Sequence, residues 1–264
     1  MLKKLLKYDL LWSYKLIVVY HLLGVIFAVM GKLSETLPDT TFFIVLTGIF
    51  KGCALSCFIP GLVNSIIRSW VRLINNMYKD ESHLTHTIPV DIRIHYLSKV
   101  LSGIILVTVS TLFLLGGVAL MYLNKNSIVV IKEYLNILST TMNGSFGVLI
   151  VLLAVVLILE VLLITLIGYF GIIWGYSFNN HKLILSIAFG IAFHFVCNMF
   201  TIIVILISGL FNNAFYKMLF EPNAALDYNV ILMIAIMSIV LYSLYTILAY
   251  VISNVKLKKG VNID

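Results

Sequence analysis

Six long apolar runs leave this chain few folds to choose from. They cover residues 16–30, 42–67, 100–123, 147–176, 183–211 and 229–255. Crossing a bilayer core takes about 20 apolar residues in a helix. Five runs meet that length, and the first meets it only by borrowing residues back to about 10. The fourth and fifth exceed it, which predicts tilt or extension beyond the bilayer. Hydrophobic residues make up 61% of the chain and charged residues 11%, against roughly a half and a quarter in soluble domains. The chain therefore reads as an all-α membrane protein with six transmembrane helices in one domain, residues 1–264.

The polar residues lie between the runs, and their distribution orients the chain. With both termini inside, the inner segments hold thirteen Lys and Arg, among them Lys3, Lys4, Lys7, Arg68, Arg72 and Lys256. The outer segments hold Lys32, Lys125, Lys132 and Lys217. Positive-inside bias then places both termini in the cytoplasm. The net charge of +7 follows the ends of the runs, so it argues for a membrane surface and against nucleic acid. The lysine-rich start leads into apolar sequence without a small-residue cleavage site, so the first run is expected to stay as a span.

Residues 1–15 place Lys3, Lys4, Lys7 and Lys15 in one arc and Leu2, Leu5, Leu6 and Trp12 opposite. That pattern predicts an amphipathic helix lying on the membrane surface. Asp9 falls on its apolar arc and breaks the pattern; a contact with another subunit would explain it. The longest polar-rich island is residues 68–99. Trp70, Leu73, Ile74, Met77 and Tyr78 share one helical face there, while Arg68, Arg72, Asn75, Asn76 and Lys79 occupy the others. A polar hook of that size is expected to meet something in the cytoplasm. On the outer side, Ile128, Ile131, Tyr134, Leu135 and Leu138 predict a helix within 124–146, resting on the outer leaflet.

Chemistry-bearing groups are sparse. Lys51 and Glu160 lie inside spans, where an ionisable side chain is usually paired or faces water. Counted from the outer ends of their runs, their depths differ by only about 6 Å, so a Lys51–Glu160 pair is one expectation and a polar pathway the other. His194 and Asn198 share a face of the fifth run. Cys53, Cys57 and Cys197 lie in apolar sequence and read as buried free thiols, with no ligand set for a metal. There is no zinc-protease, serine-hydrolase or aspartate-dyad motif, so no catalytic residue is expected. No Walker A loop exists either.

The sequence MYKDESHLTHTIPV, followed by HYLSK, resembles a pattern in the permease subunits of type-2 ABC exporters of Gram-positive bacteria. The positions concerned are Tyr78, Asp80, Glu81, Leu84, Thr85, Thr87, Pro89, Ser98 and Lys99. The basic amphipathic start and six spans resemble that family too. The resemblance implies an elbow helix at 1–15 and a cytoplasmic coupling helix within 68–99. Tyr78, Asp80, Glu81, Leu84 and Thr85 would dock on a soluble ABC ATPase. It further implies two permease chains, alike or different, with two ATPase copies. ATP and Mg²⁺ would be held by the ATPase, with no cofactor in this chain. The implied location is the bacterial plasma membrane, and the implied substrate an amphipathic or antimicrobial peptide. The alternative is an ion-coupled carrier working through Glu160, Lys51 and His194 without an ATPase.

Overall fold

The computed structural model describes residues 1–38, 40–79, 81–141, 144–221 and 227–260, with all side chains except those of 86, 125, 126, 141 and 219. Nine helices form among the described residues, and six of them are long and apolar enough to cross a membrane. The chain is a multi-pass helical membrane protein. It divides into two compact units, Met1–Ser127 with the residues from Leu257 on, and Ile128–Lys256.

In the first unit, α1 (Leu2–Ser34), α2 (Thr41–Met77) and α4 (Ile92–Tyr122) pack side by side, and the short α3 (Ser82–Thr87) caps the loop between α2 and α4. At 33, 37 and 31 residues the long helices run about 50, 55 and 46 Å, well beyond a hydrocarbon core of ~30 Å. The amphipathic start is thus not a separate element. Residues 2–15 continue into the first span without a break, and one buried stripe runs the whole way: Asp9, Ser13, Ile17, His21, Gly24, Ala28 and Gly31. Steps of three and four residues keep such a stripe on one face. It turns the start of α1 inward against α2 and α4.

Two glycines on facing helices make room for one ring of α2. A methyl group on Gly24 would come within 2.6 Å of Phe58, and one on Gly117 would collide with the same ring. Phe58 is 1% exposed between them. Two residues on, Pro60 interrupts the α2 hydrogen-bond ladder, and Asn64 Nδ2 donates to its carbonyl at 2.9 Å. At the start of α4, Asp91 caps the helix by accepting from the Arg93 N–H at 2.9 Å.

The second unit contains α6 (Phe146–Gly175), α7 (Lys182–Phe211), α8 (Asn213–Phe220) and α9 (Tyr228–Leu257), preceded by α5 (Lys125–Thr141). The α5 helix falls within the outer segment expected to be helical. α6 and α7 approach closely because Gly171 and Gly175 lie directly on the backbone of Ser186 and Gly190; a methyl group on either glycine would overlap Ser186. Phe170 stacks near Phe193 at 4.5 Å and Trp174 near Phe189 at 5.8 Å. Leu241 and Tyr245 of α9 join Leu163, Ile167 and Cys197 in a small core, with Tyr245 Oη 2.8 Å from Thr201 Oγ1.

Candidate functional site

A carboxylate on the buried face of a membrane helix demands a cation, and Asp9 has two. Its Oδ1 accepts from Lys99 Nζ at 2.5 Å and from Arg72 Nε at 2.9 Å; its Oδ2 accepts from Ser98 Oγ at 2.7 Å. Asp9 and Lys99 are each 1% exposed. Arg72 reaches on through Nη1 to Glu81 Oε2 at 2.7 Å, where Asn76 Nδ2 also donates at 3.1 Å. The hub therefore balances two acids against two bases and joins α1, α2, the tip loop and α4. Trp12 covers its side, with the Arg68 guanidinium 4.6 Å and the Arg72 guanidinium 5.2 Å from its ring. Arg68 also donates to the carbonyls of Trp12 and Ser13, both at 3.0 Å.

This hub accounts for Asp9, which is satisfied within its own chain and needs no other subunit. Tyr78 and Thr85 are buried, and Thr85 Oγ1 is turned back onto the Glu81 carbonyl at 3.0 Å. The Glu81 carboxylate is held by Arg72 and Asn76 while its side chain stays 42% exposed. Leu84 is 73% exposed, beside exposed His83 and Ile88. Asp80 lies outside the described residues. The helical face expected for the α2 extension is the inward one, with Leu73, Met77 and Tyr78 buried.

The intramembrane charges do not need one another. Lys51 Nζ sits 2.5 Å from Glu35 Oε1, at the end of α1, and 4.9 Å from the Tyr122 ring. Helical side chains lean toward the helix N-terminus, so Lys51 reaches back to the loop rather than across the span. Lys32 joins from the other side, 3.3 Å from Glu35 Oε2, and also bonds Asn124. Burial opposes ionisation of Glu35, but hydrogen bonds and charge from Lys51 and Lys32 prevail and draw its carboxyl below the ordinary value. Glu160, His194 and Asn198 are exposed on their helices, and Glu160 enters none of the ion pairs among the described residues.

The arrangement ties three long helices together through charged hydrogen bonds. Asp9 accepts from three donors, two on Oδ1 and one on Oδ2. No group of three metal-ligating side chains occurs among the described residues. The missed residues were Asp9, Arg72 and Lys99 as a set; the one signal for them was an acid on an apolar arc. No protein-family model, curated protein or solved structure matches this chain.

Proposed function

We propose that the chain is the membrane-spanning permease subunit of a type-2 ABC exporter. In this reading two such chains form the pathway, and two copies of a soluble ATPase bind ATP and Mg²⁺ and drive it. The substrate class is an amphipathic or antimicrobial peptide, and both termini are cytoplasmic. The observation that supports this best is the mounting of the tip. Glu81, at the head of α3, is tied through Arg72 to Asp9 and so to Lys99. A push on the tip is then shared by three long helices. A partner shifts a conformational equilibrium only through contacts that differ between its states, and a stiffly mounted tip supplies them.

The test uses Leu84, because it is exposed and makes no structural contact that its loss would break. Leu84→Asp should abolish co-purification of the ATPase and ATP-dependent export while leaving insertion intact. A Leu84→Cys chain checks insertion: an impermeant thiol reagent added outside should miss it and should label Thr36→Cys, at the opposite end of α1. Full coupling in a correctly inserted Leu84→Asp chain would overturn the proposal. Lysine at Glu81 is a poorer test, since it also breaks the hub.

A further inference from the structure

We infer that a groove between the start of α1 and the middle of α4 binds one anionic phospholipid, with an acyl chain along its floor and the phosphate on lysines at its rim. Over its first four turns α1 carries two parallel rows at four-residue spacing. One holds Lys3, Lys7 and Lys15, with Leu11 between the last two; the other holds Leu6, Leu10 and Tyr14. Together with Ile105, Leu106 and Val109 of α4 they enclose a groove of about 900 Å³, almost wholly apolar.

The charge at the rim has no ion-pair partner among the described residues. Lys3, Lys7 and Lys15 are exposed, and none joins an ion pair among the described residues. The single acid within α1, Asp9, faces the other way and is already shared by Lys99 and Arg72. Lys15 lies eight residues beyond Lys7, about 12 Å further along the axis. Its stem leans back toward the N-terminus and lays its methylenes on apolar surface, with the ammonium directed at the headgroup level. A zwitterionic lipid would fill the floor but leave three cations unmatched. An anionic headgroup satisfies both, and each basic residue near such a surface strengthens attraction about fivefold.

The full-length protein is reconstituted in bilayer nanodiscs of equal phosphatidylglycerol and phosphatidylcholine, and retained lipid is read by native mass spectrometry. The native chain should keep phosphatidylglycerol over phosphatidylcholine by about a hundredfold, the product of three such factors. Changing Lys3, Lys7 and Lys15 together to Gln should bring that ratio near one. Leu10→Trp fills the groove and spares the lysines, and it should lower retention of both lipids. Lys258→Gln with Lys259→Gln removes exposed charge elsewhere and should leave the ratio alone. Equal retention by the native chain, or a ratio unmoved by the triple change, overturns the site. An equal fall in the tail variant reduces it to diffuse surface charge, and full retention in Leu10→Trp removes the groove from it; either outcome overturns the inference.

Discussion

In the first unit the helices meet through Asp9, Arg72, Lys99 and Ser98, groups that bond in fixed directions at fixed distances. In the second, α6 and α7 meet glycine on serine, with Gly171 and Gly175 against Ser186, and tilted aromatic rings lie beside them. Lipid tails are as apolar as leucine, so apolar contact alone gives helices in a bilayer little reason to choose one register. The first unit chooses with charge, and only one alignment of three helices satisfies the hub. The second chooses with shape, and the acid and imidazole inside its spans, Glu160 and His194, stay exposed.

The largest effect should come from the hub. Asp9→Ala removes the acid shared by buried Lys99 and half-buried Arg72, at a cost of about 3–5 kcal/mol. Heating in detergent with timed thiol labelling should show Cys53 and Cys57, in the first unit, opening at lower temperature, while Cys197 in the second keeps its protection. Combining Asp9→Leu with Lys99→Met should recover much of the loss, because an apolar replacement of a buried pair is often neutral. If Asp9→Ala unfolds no earlier than the native chain, charge is not what aligns the first unit.

Gly175→Ala reverses the pattern. Its methyl group meets the Ser186 backbone, so α7 must shift, at about 1–3 kcal/mol. Here Cys197 should open early and Cys53 and Cys57 should not. Matching behaviour of all three thiols in both variants would mean the two units unfold as one.

The smallest effects lie at the charges inside the spans. Lys51→Met should cost about 1 kcal/mol by removing the Glu35 bond, whereas Glu160→Gln should stay within about 0.5 kcal/mol. A larger loss from Glu160→Gln would expose a cation partner that the hub-and-shape contrast omits. The Glu35 pairing also has a pH signature. Its carboxyl is drawn below its ordinary 4.5, so its stabilisation is fully present above that value and disappears as pH falls through the lower folded value. The gap in melting temperature between the native chain and Glu35→Gln should hold from pH 7 to about 5 and close on further acidification.

The six spans were legible because a bilayer imposes one length and one polarity on each of them. Helix ends were not. Hydropathy placed the first span at 16–30, yet α1 runs Leu2–Ser34, since lysines are good helix formers and lower hydropathy without ending a helix. Depth arithmetic put Lys51 level with Glu160, but depth says nothing about direction around the axis. The partner, Glu35, sat in a loop that carried no pattern. At the tip the polar run shows nothing of the bond by which Arg72, nine residues earlier, holds the Glu81 carboxylate. Asp9 was the most informative misfit: a residue that breaks a local pattern without local reason is answered at long range.

The hub has a further consequence for how the chain is made. Asp9 is synthesised 63 residues ahead of Arg72 and 90 ahead of Lys99. At about 5–20 residues per second the second gap lasts roughly 5–20 s. Until Arg72 emerges, Asp9 has neither of its cations, and a lone carboxylate costs several kcal/mol to bury, which favours keeping the first turns of α1 at the wet surface. The same segment that favours the surface early is a core helix in the finished protein, once Arg72 and then Lys99 are there to meet Asp9.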